Sequence, residues 1–167
     1  KPLGQVATYV KRGLQPEYVA DGEIIVVNSQ HLGRYLLNVE ATERTDKRFW
    51  DGNKKARLQR NDVLLYSTGA YVGRTNAWLE DQKGIASNHV TVIRANSTCD
   101  PLYLAVFLNA PVGLLQTEKW ASGSGQREIY PDDIARFLVY LPSEKFQQKV
   151  ADLIGESYEA RKKAKVL

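Results

Sequence analysis

A single cysteine, Cys99, and two histidines, His31 and His89, are all the chain holds of those residue types. One thiol cannot close an intramolecular disulfide, which points to a reducing, cytoplasmic compartment. One cysteine and two distant histidines also lack the paired spacing of a zinc site, so no metal is expected. Long apolar runs are missing: the stretch 63–66 is far short of the roughly 20 residues a membrane span requires. No charged, apolar leader opens the sequence, and Lys1-Pro2 without a methionine reads as the edge of a segment excised from a longer protein. No nucleophile elbow and no Ser/His/Asp order is legible. Asp132-Asp133 stands where a helix begins, and acids there favour the helix dipole. The expectation is a domain with no catalytic residues of its own.

What is present suits one soluble globular domain. The 167 residues are 43% apolar and 25% charged, and a chain of this length buries roughly 70% of its unfolded surface. The net charge of +4 is mildly basic but unevenly spread. Between positions 47 and 60 stand six basic residues (Lys47, Arg48, Lys54, Lys55, Arg57, Arg60) and one acid, Asp51. Such a cluster suits a polyanion backbone or, equally, a solvated basic loop. Phe49 and Trp50 beside it either stack on a base or anchor the loop to the core, the second being the commoner use.

Read in order, Leu3, Val6, Ala7 and Val10 have helical spacing, which predicts a helix over 3–10 with Lys11 and Arg12 in its last turn and Gly13 as its stop. Residues 24–27 form a β-branched run typical of a buried strand. A polar exit, 28–31, and a second strand over 36–39 follow, then an aperiodic stretch over 42–59. Residues 63–66 are the clearest strand, and Gly69 and Gly73 permit a tight hairpin into a returning strand over 75–79. Another strand covers 90–93. Asp100-Pro101 is an N-cap followed by a first-turn proline; Leu104, Phe107, Leu108 and Leu115 supply the stripe of a helix broken at Pro111, with 112–117 resuming it. A polar loop (122–127), a helical turn and a short apolar strand over 137–141 lead to Pro142.

Beyond Pro142 the chain reads as one helix, capped by Ser143. Phe146, Val150, Leu153, Ser157, Ala160, Ala164 and Leu167 alternate at four and three residues, a heptad seam with small members. The division expected is 1–142 as a compact domain and 143–167 as a coiled-coil-type helix for a partner or for intramolecular pairing.

Several segments together resemble the target recognition domain of type I restriction-modification specificity subunits. They are 60–74 (RNDVLLYSTGAYVGR), 88–94 (NHVTVIR), 101–109 (PLYLAVFLN), 122–126 (SGSGQ) and 134–142 (IARFLVYLP), the last followed by Gln147 or Gln148. The resemblance spans the chain. The family often has a Pro-Pro pair and an acid before the helix glutamine, where this sequence keeps one proline, and it carries two recognition domains where one is present.

The resemblance implies an α+β fold with a mixed sheet, and a domain that reads a short half-site of double-stranded DNA. It implies a partner adenine methyltransferase, fused or separate, which would hold S-adenosylmethionine and perform the chemistry. A second recognition domain or a homodimer is a further expected partner. From the residues themselves, Lys47, Lys54, Lys55, Arg57 and Arg60 are candidates for phosphates. Candidates for base reading are Gln30, His31, Arg34, Tyr71, Arg74, Asn76, Gln126 and Arg127, with Ser122 and Ser124 for phosphate or base. Two readings compete: a protein-interaction module built on Trp50, Trp78 and the heptad helix, and an RNA or single-strand module stacking bases on Phe49, Trp50 and Tyr71.

Overall fold

Val63, Leu64, Leu65 and Tyr66 are buried on both sides of their strand, and the rest of the chain is layered around them. The computed structural model describes residues 1–34 and 36–164. In chain order the helices are α1 (Leu3–Val6), α2 (Lys47–Gly52), α3 (Pro101–Asn109), α4 (Pro111–Trp120), α5 (Pro131–Ile134) and α6 (Glu144–Ala164). The strands are β1 (Ala7–Arg12), β2 (Ile24–Val27), β3 (Glu43–Thr45), β4 (Val63–Tyr66), β5 (Thr75–Ala77), β6 (Gly84–Ala86) and β7 (Val90–Ala95). One antiparallel sheet runs in the order β1-β7-β4-β5. A smaller mixed sheet runs β3-β2-β6, with β2 antiparallel to β3 and parallel to β6. The fold is α+β.

Strand alternation sorts the core into layers. Val63, Leu65 and Ile93 face Tyr103, Leu104 and Leu108 of α3 together with Ile134 and Phe137. Leu64, Tyr66, Val90 and Val92 face the other way, onto Ile25, Val27 and Ala86 of the second sheet, with Trp78 and Leu32 between. The outer residues of that sheet, Ile24, Val26 and Ile85, are covered by Ala56, Phe49 and Trp50. Helices, sheet, sheet and the basic segment are thus stacked, and β2, β4, β6 and the first four residues of β7 are buried on both faces. Phe49 and Trp50 anchor their segment to the core, which removes the stacking platform that the single-strand reading needs.

Several sequence expectations are corrected. The helical spacing at 3–10 ends at Val6, because 7–12 pair along β7 from Ala7↔Ala95 to Arg12↔Thr91, with a register shift between Ala7 and Tyr9. Residues 36–39 form no strand; the single bridge Leu32↔Leu37 precedes a 3-10 turn at Val39–Ala41, and Tyr35 lies outside the described residues. The stretch read as aperiodic contains β3 and α2, the latter capped by Asp46, whose carboxylate accepts from the Arg48 amide at 2.5 Å. Leu115 is exposed rather than part of a buried stripe. The strand expected at 137–141 makes only the bridge Pro2↔Leu138, although Phe137 and Val139 point inward and Leu138 and Tyr140 outward.

The N-cap at Asp100 is as expected: Oδ1 accepts from the amides of Leu102 and Tyr103 at 2.8 and 3.0 Å. The long helix ties to the same point, since Gln147 Oε1 accepts from the Asp100 amide at 2.8 Å and its Nε2 donates to Pro142 O at 3.1 Å. No helix among the described residues is long and apolar enough to cross a membrane.

Candidate nucleic-acid interface

Two polar loops meet at the end of the large sheet where β4 leaves and β7 begins. The first, 67–74, reverses the chain between β4 and β5: the Gly73 amide donates to Tyr66 O at 2.9 Å and the Tyr66 amide to Arg74 O at 2.8 Å. Gly73 sits at φ 96°, where a Cβ would stand 2.7 Å from Thr117 Oγ1, so only glycine fits both the dihedral and the space. The second loop, 122–128, is closed by reciprocal bonds between Ser122 and Glu128, both 2.8 Å. The two loops are then stitched together. The Gly69 amide donates to Arg127 O at 3.0 Å, the Ile129 amide to Ser67 O at 2.9 Å, and Thr68 Oγ1 to Glu128 Oε1 at 3.2 Å. They form one platform.

That platform gathers six residues expected at a DNA contact. Ser124 and Gln126 are exposed at the loop tip, and Ser122 is exposed at its base. Tyr71 is exposed, and the Arg74 guanidinium lies 3.5 Å from its ring centroid, a cation–π contact that orients the arginine. Arg127 Nη1 lies 2.7 Å from both carboxylate oxygens of Glu118, and that hydrogen bond holds the Glu118 carboxyl below its ordinary range.

The root of the platform uses residues that the sequence did not single out. Arg12 Nη1 donates to Glu128 Oε1 at 2.7 Å and Nη2 to Ile129 O at 3.0 Å, while the guanidinium lies 4.8 Å from the Tyr130 ring centroid. Tyr130 Oη donates to Glu128 Oε2 at 2.7 Å. The Tyr130 hydrogen bond first, then Arg12, lowers the Glu128 pKa. Arg12 escaped notice because a cation in a helix's last turn needs no partner, whereas at the end of a strand it reaches the loop.

The other candidates lie elsewhere. His31 is buried at 2% exposure: its Nδ1 accepts the Asn28 amide at 2.9 Å, and burial lowers its pKa despite the opposing charge of Glu43. It serves the 3-10 turn Ser29–His31 and cannot meet a base. Asn76 is 4% exposed, inside β5 rather than on a loop, with both amide atoms unpartnered; it too is withdrawn from the base-reading set. Gln30 is exposed and donates to Glu43 at 3.0 Å, and Arg34 is exposed.

Within the basic segment, Arg57 donates to Trp50 O at 2.9 Å and stacks 4.8 Å from the Trp50 ring. Arg60 donates to Leu79 O at 2.5 Å and pairs with Asp81 at 3.0 Å. Both arginines are structural ties first. Lys47, Lys54 and Lys55 are exposed and, among the described residues, pair with no carboxylate. This segment covers the outer face of the small sheet, a layer apart from the platform.

The long helix has two faces. Gln147 and Ala151 are buried, and Ile154, Tyr158 and Arg161 half-buried, all toward the domain. Of the expected seam, Val150 is half-buried, whereas Phe146, Leu153, Ser157, Ala160 and Ala164 are exposed; Leu167 lies outside the described residues. The helix therefore packs on its own domain by one face, and the expected seam is divided: Val150 packs against the core and Phe146 stands edge-on to Tyr103 at 6.4 Å, while Leu153, Ala160 and Ala164 face outward. Burial, then the charge of Asp100, pushes the Cys99 thiol up to about 11, and no group of three or more His, Cys, Asp or Glu among the described residues could hold a metal ion.

No family model and no curated protein matches the sequence. Solved structures do match. The S subunit of the type I restriction-modification system from M. genitalium superposes at TM-score 0.66, with 16% identity over 95% of this chain and 38% of that one. This chain has the type I S-subunit fold. A chain from a structure of complex assembly and conformational transition in a type I R-M system gives TM-score 0.65, with 20% identity over 99% of this chain and 40% of that one. The HsdS subunit from Thermoanaerobacter tengcongensis gives TM-score 0.59, with 18% identity over 98% and 39%. The chain spans about two fifths of the length of each of these three chains.

Proposed function

We propose that this domain is a target recognition domain: it reads a short half-site of double-stranded DNA and directs an adenine methyltransferase to it. Catalysis and S-adenosylmethionine belong to that methyltransferase, fused or separate, and the exposed seam of α6 is where a second helix pairs. The observation that carries the reading is the platform of loops 67–74 and 122–128, polar, exposed and held by backbone bonds, on an S-subunit fold. Arg74 and Arg127 offer the forked donors that match guanine, and Gln126 offers the donor and acceptor that match adenine. Ser122 and Ser124 suit phosphate or base, and Lys47, Lys54 and Lys55 suit phosphates at the flank, giving affinity without sequence information.

Fluorescence anisotropy of a labelled duplex tests this reading. Arg127→Ala should weaken binding by about thirtyfold, the middle of the range for a base-directed arginine, and Lys162→Ala on α6 by less than about twofold. Binding should also fall with salt at about −0.9 log units for each phosphate neutralised. Equal losses in the two variants, or better competition by single strands than by duplex, would refute it.

A further inference from the structure

Two arginines of the platform are clasped by the protein's own carboxylates, and the two clasps differ. Arg12 is built in: Glu128 takes its charge while also accepting from Thr68 and Tyr130, and Ile129 O takes its second nitrogen. Releasing Arg12 would take the loop root apart. Arg127 is held by Glu118 alone among the described residues, through one nitrogen, with the two side chains 39% and 60% exposed. The Glu118 carboxylate comes from α4, a ten-residue helix, so the scaffold rather than the loop sets its position. The preceding residue on that helix, Thr117, is the one packed against Gly73 of the other loop.

A carboxylate offers a guanidinium two oxygens, much as a phosphate does and as guanine does with O6 and N7. Glu118 thus occupies Arg127 with an imitation of what Arg127 would bind on DNA. An exposed pair of this kind shifts an equilibrium only about two- to fivefold. That is enough to tax a lone phosphate contact and too little to block a bidentate base contact. We infer that Glu118 is a positioning residue for Arg127, a resident competitor that holds the guanidinium off indiscriminate phosphates and yields it to a base edge with two acceptors, while lowering the affinity for any duplex. This rests on the platform being a DNA-reading surface.

Glu118→Gln separates the outcomes. Against a duplex of random sequence, the variant should bind about threefold more tightly than the parent and its log–log salt slope should steepen by about 0.9, one further phosphate. In an Arg127→Ala background the same change should give no gain. Glu118→Asp, which keeps the charge on a shorter stem, should fall between, and serves as well if the glutamine variant does not fold. No gain from Glu118→Gln, or the same gain with Arg127 removed, overturns the competitor role while leaving DNA recognition standing. Failure of the parent protein to retain any duplex at low salt overturns DNA recognition and this inference together.

Discussion

Neighbouring positions on α6 carry opposite structural demands. Ala151 is 5% exposed against the domain, and Leu153 is 58% exposed on the outward seam. An aspartate at 151 would place a carboxylate with no partner in the seam between helix and domain. Such burial costs about 3 kcal/mol after relaxation. In a domain of this size each kcal/mol moves the melting temperature by about 2–4 °C, so Ala151→Asp should lower it by about 6–12 °C. Leu153→Asp changes little more than helix propensity, about 0.5 kcal/mol, and should lower it by no more than about 2 °C at concentrations where the chain is monomeric. Its effect belongs to association: a charge on the seam, reinforced by one at the exposed Ala160, should abolish pairing with a partner helix. Circular dichroism melts give the first comparison, and light scattering across a concentration series gives the second. Equal melting shifts, or a larger one at Leu153, would mean that the helix packs on its domain by the other face and that the seam is no seam.

Other consequences follow from single residues. The lowered His31 pKa makes stability depend on acid: the unfolded ring takes a proton near its ordinary 6.5 while the folded ring resists, so stability should be level above that value and decline as the pH falls below it, toward the folded pKa. Urea melts should record the decline, and His31→Gln should flatten it; an unchanged slope in the variant would assign the titration elsewhere. Gly73→Ala should cost about 2 kcal/mol or more, from the left-handed backbone and the contact with Thr117. It should weaken DNA binding further by misplacing Arg74; a variant as stable as the parent would refute the fit described for that turn.

Much of the scaffold was legible because its signals are local. Residues 24–27, 63–66 and 90–93 are short, largely apolar runs buried on both faces, and Asp100-Pro101 announced α3 by its cap. What misled was pattern without context. Leu3, Val6, Ala7 and Val10 have helical spacing, but the free edge of β7 draws 7–12 into a sheet, a long-range choice that spacing does not encode. The short α2 holds only Phe49 and Trp50 as apolar residues, too few for a period to emerge, although Asp46 marked its start. At the site, the loops could be named from their Gly, Ser and Gln content, and they do converge. Their root could not, because Arg12 lies more than a hundred residues from Glu128 in sequence. His31 and Asn76 looked like base readers by type, yet burial decides availability and is a property of the folded chain.

The most direct test of sequence-specific duplex recognition is selection by the purified protein from a randomised duplex library at moderate salt, followed by sequencing. Enrichment of one short motif, lost in the Arg74→Ala and Arg127→Ala variants, is the predicted result. Retention of duplex with no motif enriched, unchanged by either substitution, would contradict it.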